Sequence, residues 1–172
     1  MKIRTGGPAD VPAMLALLDA AVAWLAARGR TEQWGSVPWS ERPAVVERVE
    51  RYARDHLVRI AEDDRGRPVG SCVLTSGAPD YAPKTDEPEL YVQQLVTSRA
   101  HRNSGIGAAL IADARAEAAR RGVRLLRVDC YAGPDRKLVA QYGALGFTET
   151  ESFEVTTADG TVWPGQVLEI RL

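Results

Sequence analysis

The chain has 172 residues, of which 45% are hydrophobic and 26% are charged, and its formal net charge is −1. This composition is typical of a soluble globular protein and disfavours a disordered chain, a collagen-like chain or a coiled-coil rod. The length predicts one domain, residues 1–172, and the nearly neutral charge gives no general attraction to nucleic acid or to an anionic membrane.

The N-terminal residues lack the apolar region and the small-residue cleavage site of a secretory signal. The longest apolar stretch, residues 11–27, is interrupted by Pro12 and Asp19. A bilayer span needs about 20 apolar residues, so we predict no membrane-spanning segment and a cytoplasmic protein. In that reducing compartment, Cys72 and Cys130 are expected to be buried free thiols that form no disulfide.

The first third of the chain predicts a strand and two helices. A short strand at 2–5 precedes a helix whose apolar residues recur at steps of three and four: Val11, Met14, Leu15, Leu18, Val22 and Leu25. Gly29 ends that helix, and a loop at 30–38 follows. Ser40 is the predicted N-cap of the second helix, whose apolar positions are Val45, Val46, Val49 and Tyr52.

The remainder is rich in strands. Predicted strands lie at 57–61, 68–75, 89–97, 123–130, 147–156 and 162–172, with helices at 105–121 and 136–145. The buried stripe of the first of these helices is expected to be Ile106, Leu110, Ile111, Ala114 and Ala118. The order β-α-α-β-β-β-α-β-α-β-β predicts a mixed sheet in an α/β or α+β domain.

The turn that joins the strand at 89–97 to the next helix carries the strongest chemical signal. Gly105 and Gly107 allow positive φ and close approach of the backbone, so successive N–H groups and the helix dipole face one point. Such a point binds phosphate. Arg102 adds a fixed positive charge, and the side chains of Asn103 and Ser104 add hydrogen-bond donors.

Several kinds of site use this geometry. A phosphate-binding nucleotidase loop requires Gly-Lys-Ser/Thr, whereas Ala108 follows Gly107 here. A dinucleotide-binding fold requires a third small residue where Leu110 stands, although Asp129 lies about one strand further on, as a ribose ligand would. A helix start that binds no ligand is the remaining alternative.

The motifs resemble those of the GNAT superfamily, the acetyl-coenzyme A dependent N-acyltransferases. Arg102-x-x-Gly105-x-Gly107-Ala108 is similar to the family's pyrophosphate loop, Gln/Arg-x-x-Gly-x-Gly/Ala. Tyr142-x-x-x-Gly146-Phe147 is similar to its Tyr-x-x-x-Gly-Phe motif, and Gln33-Trp34 to a pair common in bacterial members. The resemblance implies a mostly antiparallel seven-stranded sheet with about four helices and splayed central strands.

The resemblance also assigns roles to particular positions. Backbone groups of Leu95, Val96 and Thr97 would bond the acetyl carbonyl and the pantetheine arm. The residues that would hold the pyrophosphate are Arg102, Asn103, Ser104, Gly105, Ile106, Gly107 and Ala108. Asp135 stands where many members carry an Asn that contacts the cofactor, and as an anion it cannot donate a hydrogen bond.

Transfer of an acetyl group from a thioester to an amine needs a neutral nitrogen and a proton for the departing thiolate. The resemblance places Tyr142 beside the sulfur, as hydrogen-bond donor or acid. Glu89, just after Asp86 and Glu87, is the candidate general base, directly or through water. The two histidines have no partners at metal-ligand spacing, so no metal is expected, and Cys130 has no basic neighbour in sequence to activate it as a nucleophile.

Trp34 and Tyr81 are the candidate substrate-binding residues, because aromatic faces and nearby carboxylates suit an ammonium group. The resulting hypothesis is direct transfer of acetyl from acetyl-CoA to a small primary amine in a ternary complex. The alternatives are a catalytically silent acyl-CoA binding or sensing module and, more remotely, a dinucleotide-binding oxidoreductase domain. No nucleic-acid or membrane partner is expected, and the oligomeric state stays open between monomer and homodimer.

Overall fold

Seven strands and four helices follow one another in the predicted order in a computed structural model that describes residues 1–172. The strands are β1 (Lys2–Thr5), β2 (Leu57–Glu62), β3 (Pro68–Thr75), β4 (Leu90–Thr97), β5 (Leu125–Tyr131), β6 (Thr148–Thr156) and β7 (Val162–Arg171). The helices are α1 (Val11–Ala26), α2 (Pro43–Asp55), α3 (Ile106–Arg120) and α4 (Lys137–Ala144).

The strands form one sheet in the order β1-β2-β3-β4-β5-β7-β6. The pairs β1–β2, β2–β3, β5–β7 and β6–β7 are antiparallel, whereas β4 and β5 are parallel. The parallel register joins Leu90 to Leu126 and continues to Val92 and Val128. Parallel neighbours need a crossover, which α3 supplies. The predicted mixed, mostly antiparallel seven-stranded sheet is thereby confirmed, while the splay at Leu95–Thr97 stays a prediction.

The chain divides into two compact units, so the assignment of residues 1–172 to a single domain also stays a prediction. The first unit comprises Met1–Leu74 and Gln94–Asp113, and the second comprises Thr75–Gln93 and Ala114–Leu172. The core of the first unit is made by α1, α2 and the sheet residues against them: Met14, Leu17, Leu18, Ala21, Val45, Val49, Val58, Ile60, Val73 and Val96. A smaller cluster in the second unit joins Ala78, Ala82 and Tyr91, with Phe153 packed against it.

The apolar face of α1 lies in the core of the first unit. With the preceding short turn, Pro8–Ala26 is long and apolar enough to cross a membrane by length and composition alone, a test that the core helix of a soluble protein also passes. Met14 and Leu18 are fully buried. At the end of the helix, the Arg30 N–H bonds Leu25 O and Gly29 has a φ of +68°, which is the expected glycine stop.

The start of the second helix differs from the prediction. Ser40 lies inside a short 3-10 turn, Trp39–Glu41, and α2 starts only at Pro43, with Arg42 at the N-cap position. Proline is favoured in the first helical turn because its missing N–H would have no helical partner there. The Ser40 N–H instead donates to Asp19 Oδ1 at 2.9 Å, so this residue ties the turn to α1 and does not cap α2.

Strand β3 approaches the first turn of α3 closely at Gly70. A Cβ at this position would lie 2.6 Å from Cγ2 of Ile106 and 3.1 Å from Cδ1 of Leu110. Next to it, the Ser98 N–H donates to Val69 O at 2.7 Å. The absence of a side chain at Gly70 therefore sets how near β3 and the start of α3 can come.

Candidate functional site

The turn before α3 has the backbone geometry of an anion site. Asn103 and Gly105 have φ values of +60° and +76°, and the helical ladder opens with a bond from Ala109 N–H to Gly105 O. The N–H groups of Ile106, Gly107 and Ala108 therefore precede that ladder and belong to the set that a helix start leaves for other acceptors. Together with the positive end of the helix dipole, they suit a phosphate.

The side chains of the turn have different surroundings. The Ser104 hydroxyl donates to His101 O and closes the turn, and the His101 ring bonds the Ser98 hydroxyl at 3.0 Å. The exposed Arg102 places its guanidinium 5.1 Å above the ring of Trp24 on α1. Stacking on an aromatic face holds a guanidinium in place while its N–H groups remain available.

Two more arginines lie over the same ring. Arg28 and Arg99 have their guanidinium carbons 3.9 and 4.9 Å from the Trp24 centroid. We call Arg28, Arg99 and Arg102 the arginine cluster. Burial, and then the charges of Arg102 and Arg28, lower the pKa of Arg99. Three neighbouring cations repel one another, so a bound polyanion would stabilise the cluster.

Arg99 also supplies a test of whether the site suits a phosphorylated ligand. Its Nε is buried and makes no hydrogen bond, which leaves a charged donor unsatisfied. An anion that bonds this nitrogen would remove that cost and the repulsion within the arginine cluster. The residues therefore fit the diphosphate of a coenzyme A thioester. Sequence reasoning missed Arg99, because its relation to Trp24 depends on how α1 packs.

In the second unit, Glu89 forms a buried ion pair. Its Oε2 lies 3.1 Å from Nη1 of Arg127, and its Oε1 accepts the Ala78 N–H at 2.9 Å. Arg127 also donates to Pro83 O at 3.0 Å. Because Ala78 and Pro83 both belong to the loop between β3 and β4, this ion pair fixes that loop.

Tyr142 lies on α4 with its ring packed edge to face on Phe147. The centroids are 5.6 Å apart with an interplanar angle of 87°, and both residues are buried. The Phe147 N–H bonds Tyr142 O at 3.2 Å, and Gly146 has a φ of +96°. The second motif therefore has a structural basis: the glycine ends α4 and turns Phe147 back onto Tyr142.

Asp129 on β5 lies among aromatic residues of the second unit. Its Oδ1 accepts a 2.6 Å hydrogen bond from the Tyr91 hydroxyl, and the Tyr81 hydroxyl lies 3.5 Å from the same oxygen. Burial raises the pKa of Asp129, an effect that outweighs the hydrogen bond from Tyr91. Tyr81 is 47% exposed, so this group of residues reaches the surface.

Two other predicted site residues have mainly local contacts. Trp34 belongs to the first unit and packs on Trp39 with ring centroids 4.9 Å apart. Its carbonyl accepts the Trp39 indole N–H at 3.1 Å. Asp135 precedes α4, and its Oδ1 accepts the Lys137 N–H at 3.1 Å. Their roles with substrate and cofactor stay predictions.

A turn with the backbone geometry of an anion site follows a central strand of a mixed seven-stranded sheet. The family comparison specifies the class of protein. The Acetyltransferase (GNAT) family matches residues 20–147, which is most of the chain. The chain belongs to this family, and its activity class is acyltransferase.

Solved structures show the same fold over nearly the whole chain. A ribosomal-protein-alanine N-acetyltransferase from Brucella melitensis is 24% identical, with a TM-score of 0.68 and 100% of both chains covered. A phosphinothricin acetyltransferase from Sinorhizobium meliloti, in complex with AcCoA, is 18% identical, with a TM-score of 0.68 over 99% of this chain and 88% of that one.

A third structure is yncA from Salmonella typhimurium with its cofactor acetyl-CoA. It is 20% identical, with a TM-score of 0.65 over 100% of this chain and 94% of that one. Comparison with curated proteins gave no match. At these identities, the likeness to solved structures shows the fold.

Proposed function

We propose that this protein transfers the acetyl group of acetyl-CoA to a primary amine of a small molecule, directly within a ternary complex. The choice of cosubstrate rests on the arginine cluster on Trp24 and on the unsatisfied Nε of Arg99, which belongs to the short 3-10 turn Arg99–His101 that precedes α3. Bound acetyl-CoA in two solved structures of the same fold supports this choice.

The turn from Arg102 to Ala108 is the proposed diphosphate site. The N–H groups of Ile106, Gly107 and Ala108 would bond phosphate oxygens, with Arg102 and Arg99 neutralising the charge. Asn103 and Ser104 shape the turn, and Asp135 stays a proposed cofactor neighbour. Backbone groups of Leu95, Val96 and Thr97 would bond the acyl-pantetheine arm, as the family resemblance implies.

Tyr142 is proposed to assist departure of the thiolate. The cosubstrate supplies an activated acyl group in the form of a thioester. A free phenol has a pKa of about 10 and a thiol about 8.5, so complete proton transfer to the thiolate is uphill by about 2 kcal/mol. Hydrogen-bond donation by Tyr142, or proton transfer coupled to loss of the amine proton, avoids this cost.

Glu89 is the general base predicted from the sequence, and the structure makes that prediction testable. Because its oxygens bond Arg127 and the Ala78 N–H, Glu89 also holds the loop that carries Tyr81. A Glu89→Gln variant that lost turnover at unchanged amine KM would support the role of base. If the KM for the amine rose while kcat was kept, the loop-holding role would be favoured.

Trp34 and Tyr81 are proposed to contact the amine substrate, with no metal in the reaction. We predict a cytoplasmic location and no nucleic-acid or membrane partner. A homodimer is possible, and the oligomeric state stays open between monomer and homodimer. In this proposal, Trp34 and Tyr81 select the amine substrate, and the turn before α3 selects the cosubstrate.

The test is thiol release from acetyl-CoA with a panel of primary amines, comparing the wild type with Tyr142→Phe. Phe keeps the edge-to-face packing on Phe147 and removes the hydroxyl. We expect amine-dependent turnover that falls about 100-fold in the variant, within the range for loss of a general acid. Tight CoA binding with no turnover on any amine would favour the silent acyl-CoA module, and thermal protection by NAD but not CoA would favour the dinucleotide-binding domain.

A further inference from the structure

The carboxylate of Asp129 has tyrosine hydroxyls as hydrogen-bond partners and forms no salt bridge. The Tyr91 and Tyr81 hydroxyls face its Oδ1. The nearby cation, Arg127, directs its N–H groups to Glu89 and to Pro83 O. The two carboxylates of this region therefore differ: Glu89 is hydrogen-bonded to an arginine, whereas the side-chain partners of Asp129 are phenols, and Arg127 acts on it only through its charge.

A partly buried carboxylate of this kind is costly to the fold. Withdrawal of a charge from water is unfavourable unless a cation compensates it, and here burial raises the pKa of Asp129. An asparagine could accept the Tyr91 hydrogen bond without that cost. A charge kept at such a position is explained by a positively charged ligand that binds there, because such a ligand would repay the cost of desolvation.

Aromatic rings continue outward from this carboxylate. Tyr81 stacks on Phe153 with centroids 6.2 Å apart, Phe153 lies 6.3 Å from Trp163, and Trp163 lies 5.7 Å from Tyr131. We call these four residues the aromatic row. All four are at least partly exposed. Ring faces attract cations and also bury apolar carbon, so the aromatic row suits an organic ammonium ion with an apolar body.

We propose that Asp129 and the aromatic row form the acceptor subsite, in which the Asp129 carboxylate binds the ammonium group of the substrate and takes its proton. The proposal rests on the proposed acetyl transfer and makes the substrate class more specific. The favoured substrates are primary amines that carry an aromatic or aliphatic body and no anionic group near the nitrogen, since a second anion would be repelled by Asp129.

The proton balance of the step is simple. In this step Asp129 acts in place of Glu89, which then has the loop-holding role. Asp129 takes one proton from the ammonium ion, which leaves a neutral nitrogen with a lone pair, and later gives that proton to solvent. The nitrogen then forms a bond to the acetyl carbon while the carbon–sulfur bond breaks. The second proton of the nitrogen leaves with the thiol product, so the products are an amide and a free thiol.

The experiment compares Asp129→Asn with Glu154→Gln, which removes one negative charge from an exposed residue next to Phe153. Turnover of phenethylamine and hexylamine is measured with acetyl-CoA, and binding of phenethylamine and of neutral phenethyl alcohol is measured by calorimetry. CoA affinity and the melting temperature serve as controls. A third variant, Tyr81→Ala, changes an exposed ring and so tests the subsite without burying a new group.

We expect Asp129→Asn to lose about 100-fold or more in kcat/KM, with CoA affinity and melting temperature unchanged or higher. Phenethylamine should bind the wild type and Glu154→Gln but not Asp129→Asn, and phenethyl alcohol should bind none of them tightly. Tyr81→Ala should raise KM more than it lowers kcat. Retention of turnover and of amine binding within about threefold in Asp129→Asn would overturn the subsite.

The same data separate the subsite from the proposed function. If the wild type releases no thiol with any amine, the proposed acetyl transfer fails, and the subsite is then judged by phenethylamine binding alone. If the wild type is active and Asp129→Asn is equally active, the acetyl transfer stands and the subsite fails.

Discussion

Arg127 and Glu89 form an ion pair in which both residues are almost completely withdrawn from water, with exposed fractions of 3% and 7%. The pair links β5 to the residue before β4 and fixes the loop between β3 and β4 through Ala78 and Pro83. Each side chain of the pair needs its partner, because either charge would be buried without compensation if the other were removed.

Replacement of one partner should therefore cost more stability than replacement of both. We expect Arg127→Leu to lower the free energy of unfolding by about 3–5 kcal/mol, because Glu89 is left buried without its cation. Arg127→Leu combined with Glu89→Gln should recover a large part of the loss. Denaturant titration of the two variants measures the coupling, and strictly additive effects would argue against it.

Gly105 tests the link between backbone conformation and cosubstrate binding. Its φ of +76° makes Gly105→Ala unfavourable by about 1–2 kcal/mol, and the strain falls on the turn that presents the α3 N–H groups. Gly122, with a φ of +67° after the end of α3, gives a matched control. Both variants should lose similar stability, whereas only Gly105→Ala should weaken CoA binding. Equal CoA affinities would contradict the proposed diphosphate site.

Arg99 should matter for ligand binding and not for the stability of the free protein. Arg99→Ala removes a cation that is desolvated and repelled by Arg102 and Arg28, so the melting temperature without ligand should not fall. CoA affinity should fall about 10-fold or more, and its dependence on salt should become weaker. Arg115→Ala, which changes an exposed residue on α3, is the control. A similar loss of affinity in that variant would point to a general charge effect.

The two thiols should be unreactive in the folded protein. Burial raises the pKa of Cys72 to about 12 and that of Cys130 to about 12, so both stay protonated near pH 8. Because the thiolate is the reactive form, a disulfide reagent should label neither residue until the chain unfolds.

The same shifts predict how stability depends on alkaline pH. The folded state holds two protons that the unfolded state loses above about pH 9, so stability should decrease as the pH rises from about 9 towards 12. The control is a double variant, Cys72→Ser with Cys130→Ser, which lacks both thiols. Stability of the wild type that rises over this interval would contradict the prediction. A rise would mean that the thiols titrate outside the core.

The order of the elements could be predicted because it depends on local patterns. The stripe from Ile106 to Ala118 is fully buried, as its helical spacing indicates. Ser40 was wrong as an N-cap because its N–H finds Asp19, 21 residues earlier in the chain, and the proline at position 43 starts the helix instead. The residue at which a helix starts therefore depends on hydrogen-bond partners that lie far away in the sequence.

The chemistry of the site was predictable only where neighbours in sequence are neighbours in space. The turn at Gly105 and the motif at Tyr142 are of this kind. The hydrogen bond between Tyr91 and Asp129 joins residues 38 positions apart, and the contact of Arg99 with Trp24 requires α1 to pack beside the turn. No local spacing predicts either relationship.

The close approach at Gly70 has a consequence for variation along this chain. The position lies on β3, outside the proposed ligand sites, yet a Cβ there would lie 2.6 Å from Cγ2 of Ile106. Ile106 would have to move, and we expect the first N–H groups of α3 to move with it. A substitution at Gly70 is therefore expected to behave like a mutation of the diphosphate site itself. Binding defects in a library of random variants should consequently include a strand residue that never meets the ligand.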